Sequence, residues 1–163
     1  MKNNARHTKK PDVRLVEYQT NRLQELIAEL YNCCRERTLE EARAFELPRA
    51  ELKCLLLFDG HKYLSGKEIA AKLEVAKSRA CVLQEGLAEK GFIRKTTDPN
   101  DGRAKLVCLT VAGQRKVKEI EEYTFHLYHQ LLVQISRQQR ESVINTLEIL
   151  QSSMKTMNAK MAF

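Results

Sequence analysis

Between Phe92 and Leu109 the chain abandons the helical spacing that governs it on either side, and this interruption limits the fold more than any other feature. Phe92-Ile93-Arg94-Lys95-Thr96 and Lys105-Leu106-Val107-Cys108-Leu109 are short and β-prone. Between them lies Thr97-Asp98-Pro99-Asn100-Asp101-Gly102-Arg103-Ala104, dense in turn formers. Two strands joined by a polar tip make a β-hairpin.

Everything around the hairpin reads as helix, since 163 residues contain only six Gly and three Pro. Val16, Leu23, Leu26, Ile27, Leu30 and Tyr31 fall at helical spacing. Pro48 sets a boundary near Leu47, because the residue before a proline resists helix. The run from Leu52 to Phe58, ended by Asp59-Gly60, predicts a short helix buried on all sides. Ser65-Gly66-Lys67-Glu68 is a capping box that starts a two-turn helix with Ile69, Ala70 and Leu73 inward. After the short connection Glu74-Val75-Ala76, a third helix runs from Lys77 to Lys90 with Ala80, Leu83 and Leu87 on one face. Gly91 ends it. Beyond the hairpin, Thr110 caps a long helix with Val117, Ile120, Leu127, Leu131 and Ile135 on its inner face. A last helix carries Val143, Leu147, Leu150, Met154, Met157 and Met161 at spacings of 4, 3, 4, 3 and 4, a heptad seam. The fold class is therefore mainly α with a small β-hairpin.

Short helix, tight connection, longer helix and hairpin is the layout of a winged helix-turn-helix. Its second helix fits a DNA major groove, and its hairpin tip reaches an adjacent minor groove. The same layout also serves protein docking. Net charge is +7, which suits a polyanionic partner but also plain solubility. From Gly60 to Lys105 there are ten Lys plus Arg against six Asp plus Glu, a net of +4 in 46 residues. No apolar stretch approaches a membrane span and no secretory leader opens the chain, so a cytoplasmic protein is expected. Nothing suggests an enzyme or a cofactor: there is no nucleophile–base pairing, phosphate-binding glycine loop or dense carboxylate cluster.

The wing sequence Asp98-Pro99-Asn100-Asp101-Gly102-Arg103, followed by Leu109-Thr110 and Gly113, resembles the signature of the MarR family of regulators. Leu64-Ser65, Ile69-Ala70 and Leu73, with Leu87 and Lys90-Gly91-Phe92-Ile93, resemble that family's helix-turn-helix. The resemblance spans Leu52 to Gly113. It implies a homodimer gripping a pseudo-palindromic operator in double-stranded DNA, with a small-molecule inducer as a further partner. The chain then divides into an N-terminal arm and dimerisation helix (1–47), a winged helix-turn-helix region (48–110) and C-terminal dimerisation helices (111–163), within one structural domain.

By that resemblance Arg103 enters the minor groove and Asp101 braces the wing; the plain alternative is a hairpin turn with a solvated Arg. Lys95, Asn100 and Lys105 lie near the same tip, as phosphate contacts or plain surface. Lys77, Ser78 and Arg79 open the recognition helix, where free backbone N–H groups favour phosphate and Arg79 can read a guanine edge. Cys81, Val82 and Glu85 complete its outward face. At Val82 and Gly86 the chain departs from the polar or basic residues common in the family. Val82 then meets a thymine methyl, or direct base reading is weak. Ser65 and Lys67 anchor phosphates, although Ser65 is first of all a cap.

Five cysteines without a C-x-x-C pair read as buried small hydrophobes, with oxidation sensing at Cys33, Cys34 or Cys81 as the alternative. Two adjacent cysteines do not share a helix face, so one of Cys33 and Cys34 is expected buried and the other exposed. His126 and His129 form an H-x-x-H pair, two zinc ligands that Cys33, Cys34, Glu40 or Glu41 would have to complete. The competing function is a winged-helix protein-interaction module with weak or non-specific DNA binding.

Overall fold

A computed structural model describes residues 13–97 and 105–161. Helix α1 (Val13–Ala44) ends where Glu46 turns left-handed, at φ 54°. Leu47 N then donates to Ala42 O, and Pro48 stands at the N-cap of α2 (Arg49–Leu56). Strand β1 (Leu64–Ser65) leads directly into α3 (Gly66–Leu73), and α4 (Lys77–Glu89) follows after three residues. Strands β2 (Ile93–Thr97) and β3 (Lys105–Leu109) form the hairpin, α5 (Val111–Val133) continues from it, and α6 (Arg137–Met161) closes the order.

The sheet has three antiparallel strands in the order β1-β3-β2, with Leu64 opposite Val107 and Ile93 opposite Leu109. The third strand was not legible in the sequence. Two residues give no period to read, and β1 exists only because β3 presents an open edge beside it.

One core serves the winged lobe. Leu52, Cys54 and Leu55 of α2, Ile69 of α3, Ala80 and Leu87 of α4, Leu64 and Val107 of the sheet and Ile120 of α5 are all essentially sealed from solvent. Each large side chain so buried contributes roughly 1.5–3 kcal/mol relative to exposure. α2 is buried on most sides, as expected, although Lys53 reaches solvent.

Outside the lobe the helices are bare. α6 buries no residue in the single chain, and Leu147, Met154, Met157 and Met161 of the heptad seam are 45–70% exposed. The inner face expected for the long helix ends early. Val117 and Ile120 are buried, Leu127 is half-buried and Leu131 is 56% exposed. Ile135 is not on that helix at all, because α5 stops at Val133 and Ile135 sits in the connection to α6. Aromatic and cation–π contacts join α1 and the turn after it to α5. Phe45 meets Tyr123 edge-on at 5.4 Å, and the Arg37 guanidinium lies 4.6 Å from the Tyr128 ring centre. Among the described residues no helix is long and apolar enough to cross a membrane.

Candidate nucleic-acid interface

The interface begins with how α3 is anchored. Ser65 Oγ accepts from Glu68 N at 3.2 Å, while a Glu68 carboxylate oxygen accepts from Ser65 N at 2.7 Å, a complete capping box. These bonds favour the ionised carboxylate and hold the Glu68 pKa below its ordinary value, the Ser65 backbone bond contributing most. Ser65 therefore spends its hydroxyl on the helix end, whereas Lys67 beside it is exposed. Glu74, left-handed at φ 55°, ends α3, and Val75 N returns to Ala70 O. That reversal sets the angle at which α4 leaves.

α4 turns Ala80, Leu83, Gln84 and Leu87 into the core, with Gln84 satisfied by the Ala80 carbonyl at 3.0 Å. The opposite side carries Ser78, Cys81, Val82 and Glu85, all exposed, Val82 by 54%. Ala76 at the N-cap gives no side-chain bond, so the first-turn N–H groups stay open beside the exposed Lys77, Ser78 and Arg79. Such an end attracts anions. Cys81 Sγ donates to a Glu85 carboxylate oxygen at 3.4 Å, which steadies that carboxylate on the outward face.

Gly86, the other departure from the family pattern, has a structural reason: it lies where α4 passes the Glu51 carboxylate of α2. A Cβ there would press on the Glu51 carboxylate, 3.3 Å from its carbon. Glu51, largely buried, is held by Lys90 Nζ at 2.9 Å. The missing side chain leaves room for that carboxylate, and of the two departures only Val82 stands on the outward face of α4.

The far end of α4 is tied to the wing by Leu109, Thr110 and Gly113. Gly91, at φ +74°, ends the helix, with Phe92 N donating to Leu87 O. Thr110 N donates to Phe92 O at 2.9 Å, and Thr110 Oγ1 reaches the Gly91 and Phe92 carbonyls. Its oxygen also accepts from Gly113 N at 3.0 Å, capping α5. Gly113 packs so closely that a Cβ would fall inside the Phe92 carbonyl group, 2.9 Å from its carbon. One threonine and one glycine thereby join recognition helix, wing and long helix into one rigid unit.

On the hairpin, Lys95 and Lys105 are exposed and share the face that carries Ile93 and Val107. Lys105 Nζ donates to Thr97 Oγ1 at 3.2 Å across the strands. Arg94 stands on the other face, opposite Cys108; the sequence reading passed over it because alternation alone does not say which face is outward. Asn100, Asp101 and Arg103 lie outside the described residues.

Cys54 and Cys108 are buried, as the plain cysteine reading expects, but Cys33, Cys34 and Cys81 are exposed. Neither member of the Cys33–Cys34 pair is sequestered, because α1 packs on the lobe only near its C-terminal end. Burial, aided by Glu51, pushes the Cys54 thiol up to about 11. His126 and His129 both lie beside Phe125, and no group of three or more His, Cys, Asp or Glu among the described residues is placed to hold a metal.

These features define a winged helix-turn-helix. The model of the MarR family matches residues 45–104, from just after α1 to the residue before β3. Over that stretch, somewhat more than a third of the chain, the sequence is similar to the MarR family. Its fold is similar to that of MepR, a transcription regulator of the Staphylococcus aureus multidrug efflux pump MepA, with a TM-score of 0.72 at 20% identity over 80% of this chain and 97% of that one. A MarR family protein from Bacillus stearothermophilus superposes with a TM-score of 0.77 at 17% identity, covering 85% and 97% of the two chains. MepR solved as a DNA complex gives 0.64 at 20% identity over 80% and 98%. No curated protein matches the sequence.

Proposed function

We propose that this chain is a homodimeric, sequence-specific DNA-binding regulator of transcription, acting as a repressor whose hold on an operator is modulated by a ligand or signal. The outward face of α4 carries this reading: an uncapped, basic N-terminus beside Ser78, Val82 and Glu85, on a helix locked to the wing. Lys77, Ser78 and Arg79 take phosphates or a guanine edge, and Val82 packs on a thymine methyl. Glu85 accepts from a cytosine amino group. Lys95, Lys105 and Asn100 hold the wing to the phosphate backbone, and Arg103, from the sequence between the two strands, enters the minor groove. The solved DNA complex of MepR, similar in fold, supports this use of the lobe.

Pairing of two chains rests on the bare seam of α6 and on the apolar residues of α1 and α5. Leu23, Leu26, Leu30 and Tyr31 are 40–66% exposed on a single chain. Helices of this length draw most of their stability from packing, and a second copy supplies it. Two lobes then meet half-sites about 34 Å apart.

Fluorescence anisotropy with the chain's own upstream DNA and a scrambled duplex, across salt, tests the reading. Tight binding to the native site, with log affinity falling linearly in log salt, is expected. Arg103→Ala weakens it severely while sedimentation still finds a dimer. Equal or absent binding to both duplexes overturns it in favour of a protein-interaction module, which the exposed Val82 at the centre of the face would then serve.

A further inference from the structure

We propose that Glu51 and Lys90 are positioning residues for base reading: their ion pair fixes the rotation of α4 about its own axis, and so places Ser78, Val82 and Glu85 against the groove. The inference deepens the DNA-binding reading above and rests on it.

Lys90, the C-cap residue of α4, reaches Glu51 in the first turn of α2, with Nζ 2.9 Å from one carboxylate oxygen and 3.2 Å from the other. The same ammonium donates to Gly86 O at 3.5 Å. Both helix ends favour this arrangement, since the N-terminus of α2 attracts a carboxylate and the C-terminus of α4 a cation. Gln84 and Cys81 bond only within α4. Among the described residues Lys90 therefore makes the one side-chain polar link from α4 to another helix. The junction at Gly91 and Thr110 ties the end of α4 to the wing; this pair ties its side to α2.

Burial makes the pair a poor source of stability. The Glu51 side chain is 11% exposed and that of Lys90 39%, and desolvation of the two charges offsets much of their attraction. What such a pair supplies is register. The apolar contacts of α4, through Ala80, Leu83 and Leu87, tolerate a small roll because apolar side chains repack. A carboxylate–ammonium contact at 2.9 Å does not. Gly86 leaves the room for it, since a Cβ there would stand 2.5 Å from Glu51 Oε1.

A small roll is enough to matter. Outward side chains stand about 5–6 Å from the helix axis, so a roll of about 10° moves them by about 1 Å. Hydrogen bonds to base edges span only roughly 2.7–3.2 Å, and a shift of that size breaks them. Long, flexible lysines follow the phosphates through the same shift.

The affinities of the full chain for a duplex selected from a random library and for a scrambled duplex are compared by anisotropy across salt, beside thermal unfolding. Glu51→Leu/Lys90→Met replaces the pair by apolar groups of similar size, and the melting temperature should hold or rise. Affinity for the selected duplex should fall at least about tenfold, the worth of one good base contact, with that for the scrambled duplex unchanged. Lys90→Arg keeps an ion pair and should discriminate as the parent does. Gly86→Ala crowds the carboxylate without removing a charge and should also lose discrimination, which keeps the test open should the double variant unfold. Discrimination equal to the parent's in a folded double variant, or in Gly86→Ala, overturns the proposal. So does an equal loss on both duplexes with a shallower salt dependence, which would make Lys90 a phosphate contact. A parent protein that binds both duplexes alike refutes the DNA reading itself, and this proposal with it.

Discussion

Replacing Gly113 by alanine tests the junction that joins recognition helix, wing and α5. On helix propensity alone the change should help, since alanine is favoured over glycine by about 1 kcal/mol inside a helix. The structure reverses the sign. The new Cβ would fall within the Phe92 carbonyl group and 3.2 Å from Leu109 Cδ2, against backbone that has no free end to swing away. Relief requires the first turn of α5 to retreat, which strains the Thr110 N to Phe92 O bond, the Thr110 hydroxyl bond to the same turn and the Gly113 N cap. At about 1 kcal/mol for each of these three, the loss is roughly 3 kcal/mol, offset by about 1 from propensity. A net destabilisation of about 2 kcal/mol follows, a fall in Tm of some ~4–8 °C for a chain of this size. Urea and thermal unfolding at fixed protein concentration measure it. Gly86→Ala is the control: there the Cβ meets the movable end of Glu51, so the propensity gain and the weakened Lys90 pairing nearly cancel. A Gly113→Ala protein as stable as the parent would refute the assignment of this glycine to a close backbone approach.

The remaining predictions concern the cap, the thiols and base reading. Ser65→Ala should cost about 1 kcal/mol through loss of the α3 cap. Because the folded Glu68 pKa is depressed, its contribution is present above the ordinary carboxylate range and is lost as pH falls through the lower folded value. An acid titration of stability that Glu68→Gln leaves unchanged would refute this. With a thiol reagent at neutral pH, Cys81 should label quickly and Cys54 and Cys108 only on unfolding; operator DNA should protect Cys81. The raised Cys54 pKa adds a loss of stability as pH climbs from the ordinary thiol range through about 11, which Cys54→Ala should remove. Selection from a random duplex library should fix a cytosine in each half-site for the parent protein, and Glu85→Ala should lose that preference; an unchanged consensus would sink the role given to Glu85.

The sequence by itself determined the elements and their order wherever a local signal was complete. The capping box at Ser65 and Glu68, the glycine stop at Gly91 and the Thr110 cap are short-range hydrogen-bond patterns, and each forms as written. Tertiary packing decided what those patterns left open. Strand β1 needed the edge of β3, and Gly86 was explained only by the approach of Glu51 from another helix. The heptad seam was plain in the sequence, yet no partner for it lies among the described residues, and the Glu51–Lys90 pair appears only when α2 and α4 are placed side by side. Contacts between residues far apart along the chain depend on how whole helices dock, and no local period encodes that docking.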